Sequence, residues 1–271
     1  MAIRDYLELA MQVAKEAGDY ALGVQKSDLL VQTKTTGTDI VTQVDTRNEA
    51  EIRKTVQSIY PDHEFLGEEM GASVPESSDG KERVRWIIDP IDGTVNFAHG
   101  LPIWCVSVGV EVNGIVECGA IYNPNMNEMF SVLRGEGAYL NGQRIYVSKV
   151  SNQQQSLFVT GFPYHVNENP GKVIEQFVAF LSRGLLIRRL GSAALDLAYV
   201  ACGRFEAFWE AYLSPWDTSA GQLMVREAGG VVTHYSGEDF NIYNKSIIAS
   251  NGIHHPMIQS VIDAALKQYH S

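Results

Sequence analysis

Positive charge is scarce in this chain: 21 Lys and Arg stand against 32 Asp and Glu, a net charge of −11. Such a surface has no broad basic face for a phosphate backbone, and Arg188-Arg189 is too short to make one, so no nucleic-acid partner is expected. Cysteine is scarcer still. Cys105, Cys118 and Cys202 are odd in number, far apart and set among apolar neighbours. That excludes a disulfide framework, a CxxC pair and a zinc site, and suits reduced core residues of a cytoplasmic protein. No stretch approaches the roughly 20 apolar residues that span a bilayer, so no membrane partner is expected. Arg4, Asp5 and Glu8 interrupt the N-terminus where a signal peptide needs an apolar block. No pair of histidines stands at metal-ligand spacing with an acid, and His254-His255 precede Pro256 at a helix start.

The 271 residues are 45% hydrophobic and 10% aromatic, enough to bury a sizeable core in one continuous body. Apolar residues at three- and four-residue steps predict a helix over 3–25, and a second runs over 45–60 with Asp45 or Thr46 near its cap and Pro61 beyond its end. Residues 84–88 read as a strand. Residues 103–112 and 115–122 flank Asn113-Gly114, a two-residue hairpin turn, and Asn141-Gly142 marks another. The segment 71–82 is polar and aperiodic, an exposed loop. This first half is α+β. After residue 150 the rhythm becomes α/β: strand 157–159, helix 170–181, strand 185–190, helix 192–202, strand 205–210, helix 217–228. The expected organisation is two closely packed halves, 1–150 and 151–271, with no Gly/Ser linker between them.

The segment Trp86-Ile87-Ile88-Asp89-Pro90-Ile91-Asp92-Gly93-Thr94-Val95-Asn96-Phe97 ends an apolar strand in two carboxylates and a Gly-Thr step. Pro90 stiffens the turn between the acids and removes an N–H, which leaves the Ile91 carbonyl as a further oxygen ligand. Magnesium takes about six oxygens and keeps several waters, so a few acids with room for a substrate phosphate suit it. Gly93 and Thr94 enter a helical turn whose N–H groups favour phosphate, and the Thr94 hydroxyl is placed to hold a water. Glu68-Glu69 and Asp217 repeat the pattern of acids after buried-type residues.

These segments, with Asp39-Ile40-Val41-Thr42-Gln43-Val44-Asp45 and Pro215-Trp216-Asp217-Thr218-Ser219-Ala220-Gly221, resemble the motifs of the inositol monophosphatase family, in its order and over nearly the whole chain. The resemblance implies a layered αβαβα fold, a homodimer, lithium sensitivity and hydrolysis of a small-molecule phosphate monoester with two to three Mg²⁺ ions. It implies that Glu68, Asp89 and the Ile91 carbonyl hold one ion, that Asp89, Asp92 and Asp217 hold a second, and that a third leans on Glu68. Thr94 and Asp45 match the pair that orients and deprotonates water, and Lys34 sits on the preceding mobile loop. Asp92, Gly93 and Thr94, with Gly191, Ser192, Ala193 and Glu210, match substrate contacts; Arg188-Arg189 reads equally as a solvated strand end. Fructose-1,6-bisphosphatase and 3'-phosphonucleotide or NADP phosphatase activities share these acids. An aspartyl-phosphate enzyme fits less well, because its two acids stand one residue apart, whereas Asp89 and Asp92 stand two apart. A regulatory binding protein would show degenerate acids, which this chain does not.

Overall fold

The computed structural model describes residues 3–25, 30–34, 40–74 and 82–267. Its helices are α1 (Ile3–Val24), α2 (Gln43–Ile59), α3 (Thr94–Ala98), α4 (Val173–Leu181), α5 (Ala193–Ala201), α6 (Pro215–Glu227) and α7 (His255–Lys267). An eight-stranded sheet places Gln143–Arg144, Gly137–Leu140, Glu128–Leu133, Ile115–Asn123, Cys105–Val112, Val84–Asp92, Glu64–Gly67 and Gly71–Ser73 side by side. A five-stranded sheet has the order Leu186–Arg188, Leu157–Thr160, Ala207–Ala211, Ser246–Ser250, Val231–Thr233.

Strand periodicity builds the layers. Side chains alternate across a sheet, so Trp86 and Ile88 meet α1 and α2 on one face, while Ile87 meets α5 and α6 on the other. In the second sheet Val159 faces α5 and α6, and Phe158 faces α4 and α7. The result is helices, sheet, helices, sheet, helices: the αβαβα sandwich expected from the family resemblance.

Several boundaries differ from those read in the sequence. The strand expected at 84–88 continues to Asp92, because Pro90 sits at a bulge rather than at the strand's end. Helix α2 begins at Gln43, capped by Thr42, with Asp45 in its first turn instead of at the cap. Helix α6 starts two residues before Asp217. Gly71–Ser73 is an edge strand on Glu64–Gly67, not loop; residues 75–81 lie outside the described residues. The strand expected at 185–190 shortens to Leu186–Arg188, and Pro170–Lys172 forms a 3₁₀ turn ahead of α4. The α/β rhythm implies parallel pairing, yet Ser246–Ser250 runs antiparallel to both its neighbours. No described helix connects Val231–Thr233 to it. Both Asn-Gly turns form with positive φ, 51° and 86° at Asn113-Gly114, 48° and 77° at Asn141-Gly142. Cys105 and Cys118 are buried core residues, whereas Cys202 is only half-buried.

One contact matters most for the site. Helix α6 lies against the eight-stranded sheet through small residues on both sides: a Cβ on Gly119 would stand 2.8 Å from the Ala220 Cβ, and one on Gly109 2.4 Å from the Ser219 Oγ. Against α5, a Cβ on Gly221 would come within 2.6 Å of the Leu197 Cβ. This close approach brings Asp217, at the start of α6, onto the strand that carries Asp89 and Asp92. Gly119→Ala is expected to lower stability by about 1–3 kcal/mol through overpacking, measured as a lower urea midpoint at unchanged slope.

Candidate metal centre and adjoining cavity

Asp89 pairs with Ser107 and Asp92 with Cys105, so three steps on one strand match two on its neighbour. That extra residue is a β-bulge, and it inverts the alternation. In a regular strand Asp92 would face away from Asp89. The bulge instead turns Ile91 toward Ala21, Val44, Phe97 and Trp104, and returns Asp92 to the side of Asp89. There Asp89, Asp92 and Asp217 each offer a carboxylate oxygen, all within 4.8 Å of one another.

Each acid is anchored through one oxygen. Asp89 Oδ1 accepts from the Ile91 N–H at 3.1 Å. Asp92 Oδ2 accepts from the Ser192 hydroxyl at 2.6 Å and the Ala194 N–H at 2.7 Å, the N-terminus of α5. Asp217 Oδ2 accepts from the Ser214 N–H at 2.6 Å, closing the capping box of α6. Asp45 holds the same position in α2: its Oδ2 takes the Thr42 N–H at 3.0 Å and its Oδ1 the Thr94 hydroxyl at 3.0 Å. The positive ends of three helices thus fix three of the carboxylates.

Thr94 Oγ1 is also 3.0 Å from the Ile91 carbonyl. A hydroxyl has one proton, so donation to Asp45 leaves that carbonyl and a Thr94 lone pair available. Gly93 precedes α3 with φ 95°, and a Cβ there would lie 3.1 Å from the Gly191 carbonyl, so the two glycine loops abut. Asn96 fastens them by donating to the carbonyls of Ile103 at 2.7 Å and Leu190 at 2.8 Å.

Glu68 stands outside the close group of three acids. It follows the strand beside Val84–Asp92, its N–H on the Ile88 carbonyl at 3.2 Å, and its carboxylate is paired with Lys34 at 2.7 Å. Lys34 also pairs with Glu69 at 2.5 Å. Asp39 of the first motif lies outside the described residues.

A cavity of about 200 Å³ adjoins the acids. Asp92, Gly93, Gly191, Ser192, Ala193, Glu210 and Asp217 line it, so these sequence-selected residues converge. Ser192 is committed to Asp92. The arginine pair splits: Arg189 lines the cavity, while Arg188 donates to the Ile187 carbonyl from an exposed position. Three features escaped the sequence. Tyr212 lines the cavity with a left-handed backbone, φ 69°, and such strain in a non-glycine residue has no one-dimensional signature. Gly161 lines it at the end of a strand without any motif. Asp196 is buried on α5 with neither oxygen hydrogen-bonded among the described residues, yet its local sequence reads as helix interior.

Burial first, then Glu68, Asp92 and Asp217, pushes Asp89 well above the usual carboxylate range. Burial and Asp92 do the same to Asp217; burial, Asp217 and Asp92 to Glu210. Burial also raises Asp92, against the hydrogen bonds of α5. Glu68 is pushed up to about 7 by burial although Lys34 opposes it. None of Asp89, Asp92 and Asp217 forms an ion pair among the described residues. Converging hard oxygens with unbalanced charge fit a divalent cation such as magnesium.

The inositol monophosphatase family model matches residues 3–270. Nus factor SuhB of Salmonella typhimurium is 39% identical over 246 residues, 90% of this chain and 91% of its own length. The extragenic suppressor protein SuhB from Bartonella henselae has a solved structure that matches with a TM-score of 0.87 at 36% identity, over 98% of this chain and 99% of that one. The IMPase of Thermotoga maritima matches with a TM-score of 0.85 at 34% identity, over 97% and 99%.

Carboxylates raised in the folded state bind protons more tightly there than in the unfolded chain. Without cations their contribution is therefore present below the unfolded value near 4 and is lost as pH rises, through about 7 for Glu68. Magnesium competes with those protons. Its upward shift of Tm is expected to be larger at pH 8 than at pH 5.5, measured by calorimetry with and without the ion.

Proposed function

Since the chain belongs to the inositol monophosphatase family, whose members are metal-dependent phosphatases, we propose that it hydrolyses inositol monophosphate or a similar small sugar phosphate with magnesium. The convergence of Asp89, Asp92 and Asp217 within 4.8 Å carries this reading. The modest adjoining cavity favours a small polyol phosphate over a dinucleotide, since drug-sized ligands take roughly 300–1,000 Å³.

Glu68, Asp89 and the Ile91 carbonyl would hold one ion and Asp89, Asp92 and Asp217 another, with any third leaning on Glu68. Bound divalent cations supply Lewis acidity and offset the charge of a phosphate dianion in a chain of net charge −11. The protein's own part begins at Thr94. With its proton on Asp45, its oxygen accepts a hydrogen bond from a water and aims that water at phosphorus. As the water oxygen bonds to phosphorus and the P–O bond to the alcohol breaks, the water's proton passes through Thr94 to Asp45. Burial raises the proton affinity of Asp45, which suits it to receive that proton. The leaving alkoxide takes a proton from solvent. Gly93 and Thr94 N–H groups face the phosphate, while Gly191, Ala193, Glu210 and Arg189 face the hydroxyls.

A second reading rests on relatives named Nus factor: work through a macromolecular partner, either beside catalysis or instead of it. That name tempers the expectation, drawn from charge, of no nucleic-acid partner. A cellular phenotype that survives Asp89→Asn would favour it.

Chelation should abolish phosphate release and added Mg²⁺ restore it. Thr94→Val is expected to lower kcat by about 10²–10⁴-fold with KM little changed. Asp92→Asn should keep the fold, by circular dichroism, and lose orders of magnitude in rate; near-normal release by either variant counts against the mechanism. Comparing kcat/KM for inositol-1-phosphate, fructose-1,6-bisphosphate, 3'-phosphoadenosine 5'-phosphate and NADP decides the substrate.

A further inference from the structure

Glu49 lies in the middle of α2 and is completely buried. A carboxylate is costly there unless hydrogen bonds and opposite charge compensate it. Arg53, one turn on, supplies the charge, its Nε 2.8 Å from Glu49 Oε1. The hydrogen bonds come from outside the helix. Glu49 Oε2 accepts the Glu69 N–H at 2.7 Å and Oε1 the Met70 N–H at 3.2 Å, and Arg53 Nη2 donates to the Gly71 carbonyl at 2.5 Å. One ion pair on α2 therefore grips the backbone of the turn that carries Glu68.

Gly67 gives an independent sign of the same grip. Its φ is not in the left-handed region, so no conformational demand calls for glycine. A Cβ on it would stand 2.1 Å from Glu49 Oε1 and 2.3 Å from Glu49 Cδ. The approach of this carboxylate leaves no room for a side chain there.

We propose that Glu49 is a positioning residue for the metal centre, holding the turn of residues 68–70 so that Glu68 stays beside the strand that carries Asp89. The hold matters because like charge opposes that placement: the Glu68 N–H rests on the carbonyl of Ile88, the residue before Asp89, at 3.2 Å. The effect on catalysis rests on the phosphatase reading; the grip itself does not.

Two variants test it. Glu49→Gln removes the charge. Gly67→Ala drives a methyl into the carboxyl while keeping both charged residues, Glu49 and Arg53, so it decides the matter should Glu49→Gln fail to fold. In both, the Glu69 and Met70 amides should exchange at least about tenfold faster in hydrogen-exchange measurements. The Mg²⁺ concentration for half-saturation, titrated calorimetrically, should rise about 10–100-fold, as loss of groups that orient metal ligands typically costs. With saturating Mg²⁺, kcat should stay within about threefold of wild type. Glu128→Gln, which breaks the Glu128–Arg204 pair elsewhere in the fold, should change neither exchange at residues 69 and 70 nor the Mg²⁺ titration. Unchanged exchange and Mg²⁺ affinity in folded Gly67→Ala overturn the proposal, as do equal shifts in Glu128→Gln. A wild type that releases no phosphate from any monoester defeats the phosphatase reading, while exchange and titration still decide the grip.

Discussion

Like charge confined at one spot governs this structure. Asp89 and Asp92 on one strand meet Asp217 from a distant part of the chain, Glu68 and Asp45 add to the charge that raises Asp89, and Asp217 and Asp92 raise Glu210. Such an arrangement is unfavourable by itself, and the fold offsets it in a consistent way. Helix N-termini supply partial positive charge to Asp45, Asp92 and Asp217, and Lys34 supplies a full one to Glu68. The anchored oxygens leave each of the three converging acids one to present to a common space. A rigid set of that kind binds a cation without reorganising around it, which is where electrostatic catalysis derives most of its advantage.

The same contacts hold the halves of the chain together. Asp92 belongs to the eight-stranded sheet, yet its hydrogen bonds come from α5; Asn96 in α3 reaches the carbonyl beside Gly191. Helix α6 packs on the first sheet although it follows the first strands of the second. The division near residue 150 separates the two sheets in sequence, but the site spans it.

Much of the site was legible because its chemistry is local in sequence. Asp89, Ile91, Asp92 and Thr94 lie within six residues, and their types alone specify hard oxygen ligands and a hydroxyl. The layered fold was legible through family resemblance and through the alternation of apolar residues. What was hidden depends on register or on distance. No count along the strand reveals that the bulge restores Asp92 to the face of Asp89, since plain periodicity predicts the reverse. The pairing of Lys34 with Glu68 joins residues 34 apart. Ser246–Ser250 looks like any apolar run until its antiparallel neighbours are known, and Tyr212 carries its strain in a dihedral angle.

The small-residue seam under α6 has a consequence for how the molecule comes into being. Asp217 reaches its partners only when Ser219 and Ala220 seat against Gly109 and Gly119, about a hundred positions earlier in the polypeptide. A ribosome-bound or truncated product that stops short of this helix has two of the three converging carboxylates and no third wall. On the proposed metal-dependent reading, cation capture by all three acids therefore waits until α6 has docked.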